Sequence, residues 1–173
     1  MPSGQYPPLY AGQDGTAGLL MSGPYRAWKT GDTSRANNVT LTADPDLVIP
    51  LAVVGAVYAF EAYLRYEGGI LGSSDFAFKW TVPAGCSFWA MPANQSTSGT
   101  AGVGGEQAAS SGTTNTVTAG SSGAGTVRSV TLRGTVMMSS TTGSLTLLWA
   151  QGTSSATATI LHVGSRIEIA RMS

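Results

Sequence analysis

One cysteine, one histidine and few charges leave this 173-residue chain with little of what most catalytic and nucleic-acid-binding sites use. Cys86 stands alone, so neither an intramolecular disulfide nor a paired-cysteine metal knuckle can form. Charged residues make up 10% of the chain, against about 25% in typical soluble domains. Nine basic and nine acidic side chains cancel. The basic residues are scattered, with only Arg128 and Arg133, or Arg166 and Arg171, loosely together; this excludes the clustered phosphate contacts of a nucleic-acid binder. The longest apolar stretch, Leu47 to Phe60, is broken by Pro50 and Gly55, followed by Glu61, and too short to span a bilayer. Met1-Pro2-Ser3-Gly4 lacks the charged and apolar regions of a secretory signal. No internal repeat is present, and no GxxxxGK[ST] or helix-opening GxGxxG. The expectation is a soluble chain made in a cytoplasm, with no membrane or nucleic-acid partner and no cofactor.

What the chain has is alternation. Tyr58, Phe60, Ala62, Leu64 and Tyr66 fall on one face of an extended segment, with Glu61 and Arg65 on the other. Phe76, Phe78, Trp80 and Val82 repeat the pattern against Asp75, Lys79 and Thr81, before a turn at Pro83-Ala84-Gly85. Phe88 and Trp89 then face opposite sides, which predicts cover on both, by a second sheet and by a neighbour. Val39–Thr42 and Leu47–Val54 read as two short strands around an Asp44-Pro45-Asp46 turn. Thr126–Met138 carries Val130, Leu132, Val136 and Met138 on one face; Ser144–Ala150 follows with Leu145, Leu147 and Trp149. A last hairpin is predicted from Ala156–Val163, a Gly164-Ser165 turn and Arg166–Met172, with Ile167 and Ile169 inward. Asn94–Gly125 is nearly all Ser, Thr, Gly and Ala; one or two weak strands are expected there, around Thr113–Thr118. Eight to ten strands with regular turns and no long helix predict an all-β fold, a jelly-roll-like antiparallel β-sandwich with an extended N-terminal arm. Residues 1–27 form the arm and residues 28–173 a single sandwich domain, a length at which about 70% of the unfolded chain's surface is buried. Within the arm, Tyr6, Pro7, Pro8, Leu9, Tyr10, Leu19, Leu20 and Met21 are the apolar groups that want a surface, on their own domain or on a neighbour.

Candidate chemistry is sparse. A Ser-His-Asp triad would need His162, which sits at a strand end with no nucleophile-elbow motif in the chain. Asp44 and Asp46 are the spacing of an acid pair or a calcium loop, but Asp-Pro-Asp is more simply turn chemistry. Trp28, Trp89 and Trp149 are candidates for sugar platforms, and Cys86 for a small buried hydrophobe. Asn38-Val39-Thr40 and Asn94-Gln95-Ser96 match the glycosylation pattern by chance. The reading is no catalytic residues and no metal site.

Five stretches carry a resemblance: Met1 to Gln13 (MPSGQYPPLYAGQ), Tyr58 to Tyr66 (YAFEAYLRY), Phe78 to Gly85 (FKWTVPAG), Leu147 to Thr157 (LLWAQGTSSAT) and Gly164 to Arg171 (GSRIEIAR). Together they resemble small virion proteins of actinobacterial tailed phages and prophages, across nearly the whole chain and least between Asn94 and Gly125. Such proteins are head decoration, head fibre or minor tail proteins, and the resemblance implies a homotrimeric jelly roll on the virion surface. Gly15, Gly18 and Gly23 stand in the leader where better helix formers are usual, which weighs against a helical anchor. The implied function is a capsid decoration protein gripping the phage major capsid protein or other virion proteins through its leader and sheet edges. The alternative is a tail-tip or fibre protein that recognises a host surface glycan.

Overall fold

The computed structural model describes residues 24–69, 74–94, 107–109 and 114–172. The twelve strands among them are β1 (Tyr25–Trp28), β2 (Thr33–Arg35), β3 (Thr42–Leu51), β4 (Val57–Glu67), β5 (Phe76–Thr81), β6 (Ser87–Asn94), β7 (Gln107–Ala109), β8 (Val117–Ala119), β9 (Arg128–Met137), β10 (Gly143–Gln151), β11 (Thr159–Leu161) and β12 (Arg166–Arg171). All pairings are antiparallel, and the described residues include no helix. One sheet runs β1-β12-β4-β9-β6-β7, and β11 joins β2 to the end of β4; the second runs β3-β10-β5-β8. The four-strand runs β1-β12-β4-β9 and β3-β10-β5-β8 are the two sheets of a jelly roll. β6 and β7 are an insertion between β5 and β8 that extends the first sheet past β9.

The alternation read from sequence is what closes the sandwich. Tyr58, Phe60, Ala62, Leu64 and Tyr66 are all buried on the inner face of β4, as are Phe76, Phe78 and Trp80 on β5. The rings interlock across the gap. Phe60 meets Trp80 and Phe88 edge-on, each with centroids 5.1 Å apart, and Tyr66 stacks on Phe76 at 4.9 Å. Cys86 is buried with its thiol 3.6 Å from the Met138 sulfur, the small hydrophobe expected of it.

Several expectations need correction. Asp44-Pro45-Asp46 does not separate two strands: β3 runs through it, and residues 39–41 are not strand. The register against β10 passes from Ala43↔Leu148 to Val48↔Thr146, so the triplet is an irregularity that bends one strand. Turn chemistry is present locally, because Asp44 Oδ1 accepts the N–H groups of Asp46 and Leu47 at 3.0 and 3.2 Å. The final hairpin is also absent. β11 and β12 both pair with β4, at Leu161↔Tyr66 and Arg166↔Tyr63, so the chain keeps its direction through a tight turn at residues 162–165. In that turn Gly164 has φ 86° and Ser165 N–H donates to His162 C=O at 3.2 Å. Periodicity cannot tell a bulged strand from a hairpin when both carry a glycine turn. Asp75, expected outward, is buried under residues 119–121, accepting from Ser121 N–H at 2.8 Å and Ser121 Oγ at 3.1 Å. Tyr25–Ala27, assigned to the arm, pair with β12 as part of β1. In the Ser/Thr/Gly-rich region the strands lie at β7 and at β8, the latter overlapping the expected Thr113–Thr118.

Candidate functional site

The outer face of the first sheet departs most from an ordinary solvated surface. Across the strands, register brings Ala170, Ala59, Thr135 and Trp89 into one row. A second row holds Val57, Met137 and Ser87, with Met172 beside it through its N–H bond to Val57 C=O at 2.7 Å. A third holds Glu168, Glu61, Arg133 and Met91. Trp89, Met91, Met137 and Met172 are 41–66% exposed, so one end of this face presents an indole and three thioethers. Opposite-sign pairs fence it. Arg133 Nε lies 3.0 Å from Glu61 Oε2, and Arg26 Nε 2.8 Å from Glu168 Oε2. Ala59, Ala170 and Gly134 line a shallow depression of about 350 Å³ between them, with Glu61, Arg133 and Glu168 at its rim. Gly134 is required here: a Cβ on it would lie 1.8 Å from the Trp89 carbonyl oxygen.

A second feature is buried. Just past β1, Lys29 is fully enclosed and its Nζ reaches Thr33 Oγ1 (2.8 Å), both Asp44 oxygens (3.2 and 3.0 Å) and Asp46 Oδ2 (3.4 Å). Trp149 Nε1 donates to Asp44 Oδ2 at 3.0 Å, and the Arg35 guanidinium lies 4.0 Å above the Trp149 ring. Arg35 also donates to the carbonyls of Thr42, Ala43 and Trp149. Burial pushes the Arg35 guanidinium down, opposed by the pull of Asp44. The irregularity in β3 is what turns Asp44 inward to this cluster, while Leu47, Ile49 and Leu51 take up the core face beyond it.

His162 lies between two carboxylates. Its Nδ1 is 3.1 Å from Asp32 Oδ2 and its Nε2 3.4 Å from Glu67 Oε2. The Val163 N–H donates to Asp32 Oδ1 at 2.7 Å; this bond, with the histidine beside it, holds the Asp32 carboxyl below its ordinary range. The described bonds bring no Ser, Thr or Cys side chain to the imidazole, so the arrangement is acid–base–acid without a nucleophile. No group of three metal-ligating side chains occurs among the described residues.

Of the sugar-platform candidates, Trp149 is a core residue, corrected by its complete burial between Phe76, Asp44 and Arg35. Trp28 and Trp89 are exposed at 46% and 41%. Asp44 and Asp46 come together, but around Lys29. The arm residues Tyr6, Pro7, Pro8, Leu9, Tyr10, Leu19, Leu20 and Met21 lie outside the described residues. Sequence reasoning missed Lys29 and Arg35, whose partners are distant in the chain, and Met137 and Met172, which lie out of phase with the inward-facing residues of β9 and β12. No family model, curated protein or solved structure matches the chain.

Proposed function

We propose that the chain is a bacteriophage virion structural protein, a homotrimeric capsid decoration subunit that binds the major capsid shell and catalyses no reaction. The observation that carries this reading is the apolar end of the outer sheet face, built from Trp89, Met91, Met137 and Met172 on a rigid jelly roll. Indole and thioether groups gathered on one exposed face suit protein contact, because they bury large area at low desolvation cost. A shell contact of about 1,000 Å² per subunit would be modest alone and large when repeated over a head. The resemblance in the sequence supports the location, and the neutral, charge-poor composition supports a life in an assembly.

The test is binding of purified protein to phage heads that lack it, read by co-sedimentation and electron microscopy. Wild-type protein should saturate the heads, and a Trp89→Ser, Met91→Ser variant with an unchanged circular dichroism spectrum should bind about tenfold or more weakly. A chain cut before Pro24, sparing β1, tests the leader as anchor in the same assay. Failure of the wild-type chain to bind any head would overturn the reading.

The alternative, a tail-tip or fibre protein that recognises a host glycan, draws on the exposed Trp28. It requires binding on a glycan array or to whole host cells that is lost in Trp28→Ala.

A further inference from the structure

An amine and a carboxylate enclosed together, with a second carboxylate beside them, are the reactants and the base of an amide condensation. The Lys29 and Asp44 side chains are both 0% exposed, and Nζ lies 3.0 and 3.2 Å from the two oxygens of the carboxyl group. The two contacts hold the amine against the carboxyl group inside a folded scaffold, so that only a local movement, not a chance encounter, brings Nζ onto Cγ. Oδ1 receives the Asp46 and Leu47 N–H groups, which stand where negative charge would collect in a tetrahedral intermediate. Oδ2 receives the Trp149 indole N–H. Asp46 Oδ2 is 3.4 Å from Nζ, close enough to relay a proton, and the Asp46 side chain is 27% exposed, which gives the site its route to solvent.

We propose that Lys29 and Asp44 condense into an intramolecular isopeptide bond, with Asp46 as the proton relay. One ammonium proton passes from Nζ to Asp44 Oδ2, leaving a neutral amine beside a neutral carboxyl group. The nitrogen lone pair forms the N–Cγ bond and the carbonyl electron pair moves to Oδ1, under the two backbone donors. Asp46 takes a second proton from nitrogen and delivers it to the Oδ2 hydroxyl. The Oδ1 pair re-forms the carbonyl, the Cγ–Oδ2 bond breaks and water leaves. The third ammonium proton stays on the amide nitrogen. No oxidant, reductant or co-reactant is consumed. Burying an ion pair away from water is costly, and a neutral amide in the same place removes that cost. The product ties the segment after β1, in one sheet, to β3 in the other, across fifteen positions of sequence. Such a brace restrains the unfolded chain as a disulfide does, in a protein whose lone cysteine allows none.

Intact mass of the folded, purified full chain decides the matter. The expected value is below that of the sequence by one water, about 18 Da, with Lys29 resistant to trypsin and its peptide joined to the one containing Asp44. Lys29→Arg keeps a cation but lacks the amine, and should show the full mass. Asp46→Asn should also show the full mass, or acquire the loss far more slowly. A wild-type chain of full mass overturns the proposal, as does a missing water that maps to any other pair. Asp46→Asn condensing at the wild-type rate overturns the relay.

Discussion

Truncating the two partners of the buried charge cluster should have unequal effects. In Asp44→Ala, Lys29 keeps only Thr33 Oγ1 at 2.8 Å and Asp46 Oδ2 at 3.4 Å, fully enclosed. The substitution also strands the N–H groups of Asp46 and Leu47 and the Trp149 indole, each of which donates to Asp44. Lys29 still has the Asp46 carboxylate, so its charge is only partly uncovered, but each stranded donor that water cannot reach costs about 1–3 kcal/mol, not fully additively. The loss should therefore be about 4 kcal/mol or more, a large share of a domain's total stability. In Lys29→Met the buried Asp44 carboxylate loses its cation, but it keeps all three N–H donors and the attraction of Arg35, and a flexible apolar chain fills the vacated volume, so a smaller loss of about 2–3 kcal/mol is expected. Both variants lack the proposed amide, so the difference between them does not depend on it. Equilibrium unfolding in urea, with slopes compared to ensure the same transition, measures both. Equal losses, or a larger loss for Lys29→Met, would refute the view that Asp44 organises the cluster.

Two further outcomes are expected. Gly134→Ala places a methyl 1.8 Å from the Trp89 carbonyl oxygen and 2.6 Å from Ala90 Cα, so β6 and β9 must part; thermal unfolding should report a loss toward the upper end of about 1–3 kcal/mol, and a loss under about 0.5 kcal/mol would show that the sheet yields there. Asp32, whose folded carboxyl is held low by the Val163 N–H, adds stability that is complete above the unfolded value near about pH 4 and is lost as pH falls through the folded value. Its side chain is half exposed, so the effect is small; the urea-midpoint gap between wild type and Asp32→Asn should nonetheless narrow between about pH 7 and about pH 3, and a constant gap would count against it.

The parts of the fold legible in sequence are those where one physical requirement acts alone. β4 buries one face and leaves the other partly exposed, so period two is written into Tyr58–Tyr66 without interference; on β5 the rings Phe76, Phe78 and Trp80 keep the same period although Ala77 between them is buried as well. Where two requirements compete, the pattern misleads. Asp44 must accept local N–H groups and face Lys29 at once, and the same three residues that signal a turn instead bend one continuous strand. Gly164 and Ser165 are turn residues in either geometry; only the pairing of both β11 and β12 with β4 distinguishes a bulge from a hairpin, and pairing is a long-range fact. In sequence Trp149 is as available for a ligand as Trp28, because alternation places a side chain on a face without saying what lies above it. The Lys29 cluster was out of reach for the same reason: its members come from β2, β3, β10 and the segment after β1, and no local spacing joins Lys29 to Asp44 or Asp44 to Trp149.

The distribution of the few charges then becomes informative. With eighteen formal charges in the whole chain, Lys29 and Asp44 are fully buried and Asp46 largely so, at the joint where the chain passes from one sheet to the other. Meanwhile three methionines and a tryptophan stand on the outer sheet face. A free monomer gains from the opposite arrangement, since exposed charge resists self-association and buried charge must be compensated at every donor and acceptor. A subunit has other needs. It gains from a joint that fixes one sheet against the other, because a contact surface made by four strands holds its shape only while the sandwich behind it does. It also gains from an outer face whose exposed apolar groups are covered on assembly. Under the proposed function the internal ion cluster and the outward methionines are two halves of one requirement, and a variant that loosens the first, such as Asp44→Ala, should weaken the proposed binding to heads by the second even where the fold survives.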